Sequence, residues 1–160
     1  MNDLLDDFKT LLATSMAGVI STFYQGEVKL VPQSYLPALM VMPVSTNVVA
    51  RTTASDQFKY TVKVRIVTDI KKSLDEAGTG AIIKSQQSII DMFEARTGTV
   101  PDADTVLGTL RKVANIRGVN YIYNNDITID YGGIVEADGW FYVMAEATLS
   151  FTTDLILRRS

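Results

Sequence analysis

The sequence predicts an α+β domain built on a mostly antiparallel sheet packed by helices. Three observations predict it. Apolar residues near the start recur at three- and four-residue steps, the mark of an amphipathic helix. The stretch "FKYTVKVRIV", residues 58 to 67, alternates apolar and polar almost without error. The last 40 residues alternate again, after a central block of helical periodicity. Sheet segments on both sides of a helical block, joined by hairpins, fit α+β order rather than a repeating strand–helix–strand pattern.

The first element is a helix over about residues 3 to 17, with Leu4, Leu5, Phe8, Leu11, Leu12 and Met16 on one stripe. Asn2 or Asp3 is its expected cap, and the early aspartates suit the positive end of the helix dipole. Gly18 is the expected stop. A short strand follows near 20 to 24, then a turn at Gln25-Gly26 and a second extended piece near 27 to 31. Pro32 and Pro37 exclude helix and the middle of a sheet. The apolar run "ALMVMPV", 38 to 44, reads as a strand buried on both faces and ending near Pro43.

Residues 45 to 57, "STNVVARTTASDQ", are polar and long for a simple connection, so they predict a projecting arm or an extended hairpin. The alternating strand then runs from about 57 to 70. It places Phe58, Tyr60, Val62, Val64 and Ile66 on one side and Lys59, Thr61, Lys63 and Arg65 on the other. Residues 71 to 80 break the pattern. Ile82, Ile83, Ile89, Ile90 and Phe93 mark a helix over about 79 to 97. A shorter helix over about 102 to 114 carries Val106, Leu110 and Val113, with Asp102 or Asp104 as its cap.

Sheet returns with Ile127, Ile129 and Tyr131, preceded by a turn signal at Asn124-Asn125. The longest strand, about 139 to 153, follows a hairpin turn at 136 to 139. Phe141, Val143, Ala145, Ala147, Leu149 and Phe151 share one face. The small Ala145 and Ala147 leave room for a helix to lie close. Trp140, Tyr142 and Met144 share the other, nominally polar face with Glu146, Thr148, Ser150 and Thr152. Large apolar groups there imply a covering element, either a helix or another subunit.

Composition bounds the function. At 160 residues the chain is long enough to bury one core, and 47% hydrophobic with 21% charged residues is ordinary for a globular domain. A net charge of −3 gives no overall field attracting nucleic acid. The aspartates at 3, 6 and 7 stand where a secretory signal carries Lys or Arg, and no run of about 18 apolar residues predicts a membrane span. There is no cysteine, which excludes thiol chemistry and thiolate metal sites. There is no histidine, which removes the commonest general base and the commonest zinc ligand.

The remaining chemistry is thin. Asp102 and Asp104 resemble the start of a calcium loop, but the required glycine and terminal glutamate are out of place, and helix capping explains them better. Asp126 and Asp130 share a strand face roughly 13 Å apart, too far for a catalytic carboxylate pair. Gly78 and Gly80 precede a helix without completing a phosphate-binding motif, so a turn explains them. The basic residues remain: Lys59, Lys63 and Arg65 on one strand face, Lys71 and Lys72 beyond it, Arg111, Lys112 and Arg117, and Arg158-Arg159 at the end. Water is the plain expectation for what faces them; a neighbouring subunit or nucleic acid is the functional one.

The order and texture of the whole chain resemble the tail-terminator (tail-completion, head–tail joining) proteins of long-tailed bacteriophages. The likeness rests on the first helix "LLDDFKTLLATSM", the "LPALMVMPV" segment, the strand "FKYTVKVRIVT", the central helix "SQQSIIDMFEART" and the closing hairpin ending in "WFYVMAEATLSFTTDL". The resemblance implies a virion structural protein at the tail–neck junction, made in the host cytoplasm, without enzymatic activity, metal or cofactor. It implies a homohexameric ring that caps the tail tube, ends its polymerisation and joins neck or connector proteins, with genomic DNA crossing the lumen without sequence readout. On that reading Lys59, Lys63 and Arg65, with Arg51 of the arm and Trp140 and Tyr142, are candidates for a subunit contact, a tube contact or the lumen wall. Two other readings compete: another neck or head-completion adaptor, and a small ligand-binding α+β domain.

Overall fold

The computed structural model describes residues 1–52, 55–70, 80–112, 115–116 and 121–156. It is an α+β fold: a six-stranded, mostly antiparallel sheet with helices on one face. The elements in chain order are α1 (Asn2–Met16), β1 (Thr22–Gln25), a 3-10 turn (Gln33–Tyr35), β2 (Ala38–Thr52), β3 (Ser55–Asp69) and α2 (Gly80–Glu94). There follow the small ladder β4 (Arg96–Thr97) and β5 (Val100–Pro101), α3 (Val106–Lys112), β6 (Asn115–Ile116), β7 (Tyr121–Ala137) and β8 (Trp140–Ile156). The sheet order is β1-β2-β3-β8-β7-β6, and only β1 with β2 is parallel. No helix among the described residues is long and apolar enough to cross a membrane.

The core lies between the helices and the front face of the sheet. Leu4, Leu5, Phe8, Leu12 and Met16 of α1 and Ile89, Met92 and Phe93 of α2 pack onto Leu39, Val41, Val62, Val64, Ile66, Ala145, Ala147 and Leu149. Phe8 meets Phe151 edge-on at 5.3 Å between ring centres. α2 lies over β3 and β8, where Ala145 and Ala147 are fully buried. Two methyl side chains let the helix approach there, as the small residues predict.

A second, smaller cluster covers one end of the back face. The chain between β1 and β2 crosses it, and Val28, Val31 and Leu36 pack with Ala38, Met40, Met42, Val67, Trp140, Tyr142 and Met144. β2 is therefore buried on both faces over residues 38 to 42.

Several boundaries differ from the sequence reading. α1 starts at Asn2, with Met1 in the capping position, because the Met1 carbonyl already accepts from the Leu5 amide at 3.0 Å. Neither Asn2 nor Asp3 caps it. Residues 27 to 31 form no strand; Val28 and Val31 fold onto the sheet back instead, and Leu30 is exposed. β2 does not end at Pro43. It continues to Thr52, so residues 45–52 and 55–57 belong to the distal part of the β2–β3 hairpin. A bulge between Pro43 and Ser45 inserts Val44 and inverts the alternation, which hides the strand in the sequence.

The cap of α3 is Thr105, not Asp102 or Asp104. Its hydroxyl oxygen accepts the Gly108 amide at 2.9 Å, and the Asp102 carbonyl accepts the Thr105 hydroxyl at 2.7 Å. Gly108 is required here, since a Cβ would stand 1.8 Å from the Asp102 carbonyl oxygen. Asn124-Asn125 is no turn. It is a bulge inside β7, with Asn125 at φ 60° and Asn124 held by hydrogen bonds with Ser150 and Thr152. The β7–β8 turn is Asp138-Gly139, both in the left-handed region, the pair expected for a tight two-residue hairpin. The expected break at 71 to 80 falls, apart from Gly80, outside the described residues, as do Lys71, Lys72, Gly78, Val113, Arg117, Arg158 and Arg159.

Candidate functional site

The back face of the sheet decides what stands opposite the positive charges. β3 pairs with β8 in a register that sets Arg65 directly across from Glu146 and Lys63 across from Thr148. All of these side chains point away from the helices. Glu146 accepts from Lys63 Nζ at 2.8 Å and from Arg65 Nε at 2.6 Å. Arg65 also donates to Glu27 at 2.9 Å, from the chain that crosses the back face. Two of the three cations are thus answered within the chain. Lys59 is exposed and forms no ion pair among the described residues.

Partial burial opposes the charge on Glu146, but the hydrogen bonds and charges of Lys63 and Arg65 overcome it and hold the carboxyl below its ordinary value. Burial likewise works against the Arg65 cation, and its contacts with Glu27 and Glu146 outweigh that and raise its pKa. The cluster joins the crossing chain, β3 and β8 into one charged strip.

Beside the strip lies a half-open pocket of about 210 Å³, lined mainly by apolar groups of the crossing chain and sheet, including Val28, Leu30, Val31, Met40, Val67 and Val135, with Arg65 at its rim. Tyr142 lines its floor. It is buried, and burial first, then Asp69 and Asp138, raise its phenol pKa. Within this chain the cover over Trp140, Tyr142 and Met144 is the segment between β1 and β2, not a helix. That burial removes Tyr142 from the exposed candidates, and Trp140 is half-buried in the same cluster. Arg51 falls in β2, and its side chain lies outside the described ones.

In the distal β2–β3 hairpin β3 pairs with β8 along Ser55–Thr61, and β2 is the outer strand. Residues 43 to 49 are all exposed, with Val44 at 52%, Val48 at 54% and Val49 at 55%. Two edges of the sheet are only partly covered by described residues. β1 covers β2 only along Ala38–Val41, and β6 covers β7 only along Tyr121–Ile122. Among the described residues nothing pairs with the outer side of β2 beyond the β1 turn or of β7 beyond Ile122. Asp126 and Asp130 are exposed on β7, and no group of acidic residues suited to a metal occurs among the described residues.

Sequence reasoning found Lys63 and Arg65 but missed Glu27 and Glu146 as their partners. Glu146 was already assigned to the outward face of the last strand. The strand order, which makes β8 the neighbour of β3, is what brings them together.

No family model matches the chain, and no curated protein matches it. Solved structures do match. One, whose name describes no function, is 14% identical, covers 97% of this chain and 93% of its own, and superposes with a TM-score of 0.41. A likeness of that degree carries no statement about activity or partners.

Proposed function

We propose that this chain is a structural subunit that closes into a ring and terminates a phage tail tube, joining it to the neck. The observation that carries this reading is the distal stretch of β2, with its exposed valines, on an outer edge that no described residue pairs with. Exposed apolar side chains grouped on an edge strand favour burial against a partner. Open edges at opposite sides of one sheet suit a head-to-tail contact, and such a contact closes into a ring when the rotation permits.

The helices cover one face of the sheet and the charged strip stiffens the other. The subunit is then a rigid plate, and the hairpin is its reaching element. Termination is geometric: a closed ring on the tube end offers the tube protein no further strand or hairpin to build on. In this reading Lys59, which forms no ion pair among the described residues, faces the neighbouring subunit, the tube or the DNA in the lumen. Lys63 and Arg65 hold the plate together. The host cytoplasm is the place of synthesis and the tail–neck junction the final location.

A mixture of tail-tube subunits with this protein tests the proposal by electron microscopy. Capped tubes of limited length are the expected result. Tubes that elongate identically with and without the protein refute it. The pocket beside Arg65 favours a second reading, a binding domain for a small amphipathic ligand. A thermal-shift screen with nucleotides, sugars and fatty acids tests it, and a saturable shift lost in Met40→Trp supports it.

A further inference from the structure

β2 outruns its outer neighbour. β1 pairs with it only along Ala38–Val41, where the Val41 carbonyl accepts the Gly26 amide at 2.8 Å. Pro43, which has no amide, and the bulge at Val44 follow. From Val44 to Thr52 no described residue pairs with the outer side of the strand, while β3 holds its inner side as far as Thr52. Natural sheets commonly block such an edge with lysine or proline. This stretch has neither, and Arg51 is its one charged residue.

The stretch is matched to itself. A second copy related by a two-fold axis normal to the sheet brings the same edge alongside, antiparallel. Full overlap of Val44–Thr52 with its copy has a single register, with Val48 on the axis. Val48 then meets the partner's Val48, Asn47 the partner's Val49, Thr46 the partner's Ala50, Ser45 the partner's Arg51 and Val44 the partner's Thr52. No like charges stand opposite each other. The core also continues into such a contact. Phe58 packs at the border of the main core, and Val48 is its cross-strand neighbour. Opposed residues share a face of the sheet, so this apolar row ends at the open edge on Val48, which is 54% exposed. Two-fold pairing closes the row with a second valine and a second Phe58. The β7 edge offers no such match. It carries Asp126, Asp130 and Glu136 and no cation, so two copies of it would gather twice three carboxylates.

We propose that the distal edge of β2 pairs antiparallel with the same edge of a second copy, joining two sheets into one through a two-fold contact at Val48. Such a contact uses the same patch on both copies and pairs them without closing a ring. It goes beyond the ring reading: in the free protein it occupies the edge that reading leaves for a neighbour or the tube. Backbone amides and carbonyls along Val44–Thr52 supply the hydrogen bonds, and Val48 and Val49 gain cover from the second copy.

The cysteine-free chain allows a direct test. Directly opposed Cα atoms of an antiparallel pair stand about 4.5–5.5 Å apart, within the span of a disulfide. The register sets Val48→Cys against its own copy, but sets Thr46→Cys four positions, roughly 13 Å, from its own. Both variants are purified reduced, checked for folding by circular dichroism, oxidised in a glutathione couple and weighed without reductant. The expected result is a linked pair at twice the chain mass from Val48→Cys, formed about tenfold or more faster than from Thr46→Cys, whose separation exceeds the disulfide limit. Equal linking by the two variants, or no linking by either when both are folded, overturns the proposal. A Val48→Cys chain that stays single on its own and couples by a bismaleimide to tail-tube subunits also overturns it, gives the edge to the tube and leaves the ring reading standing.

Discussion

Replacing Glu146 with glutamine tests whether the charged strip holds the plate together. The substitution keeps the shape and removes the charge that Lys63 Nζ meets at 2.8 Å and Arg65 meets at 2.6 Å. The Glu146 side chain is 21% exposed, that of Arg65 20% and that of Lys63 32%, so these pairs lie between the surface and buried limits. A surface pair contributes about 0–1 kcal/mol, and a hydrogen bond to a charged group about 1.5–3 kcal/mol. With partial exposure and Glu27 still answering Arg65, the loss is about 1–2 kcal/mol. For a domain of this size each kcal/mol moves the Tm by about 2–4 °C, so a drop of about 2–8 °C is expected at neutral pH.

The pH dependence sharpens the test. Glu146 has its folded-state pKa lowered from 4.5, so its contribution is fully present above that value. It is lost as the pH falls through the lower, folded-state pKa. Wild type and Glu146→Gln therefore converge in acid when unfolding is followed by circular dichroism. A gap of equal size at pH 7 and in acid, or no gap at pH 7, refutes the reasoning.

Other substitutions probe the fold. Val62→Asp places a carboxylate at a fully buried position of the front face and is expected to leave the chain unfolded by circular dichroism; a native-like spectrum contradicts the core assignment. Ala147→Leu forces extra volume beneath α2 and is expected to cost about 1–3 kcal/mol in chemical denaturation. Thr105→Ala removes the α3 cap and is expected to cost about 1 kcal/mol by the same assay, while Thr105→Ser retains most of it.

The periodic elements were legible in the sequence. The stripe of α1, the alternation of β3 and β8 and the helix around Phe93 follow from residue spacing alone. What was not legible arises where pairing overrides local pattern. One inserted residue, Val44, inverts the face of β2 and makes the distal strand look like a polar arm. Asn124-Asn125 has turn composition, but hydrogen bonds to the neighbouring β8 hold it as a bulge. The segment 27–31 alternates like a strand in sequence, but Val28 and Val31 pack on the sheet face and Leu30 is exposed, so it lies against the sheet rather than within it. The charged strip needs the β3–β8 register, a non-local fact. Lys63 and Arg65 could therefore be found and Glu146 assigned to a face, but their pairing could not.

Native mass spectrometry of the purified protein, alone and bound to tail-tube protein, with negative-stain images of any large species, tests the central claim most directly. The account predicts closed rings of a single stoichiometry, six copies by the resemblance to tail terminators, on the tube end if not in free solution. A strict monomer under both conditions, at every concentration and salt tried, contradicts it.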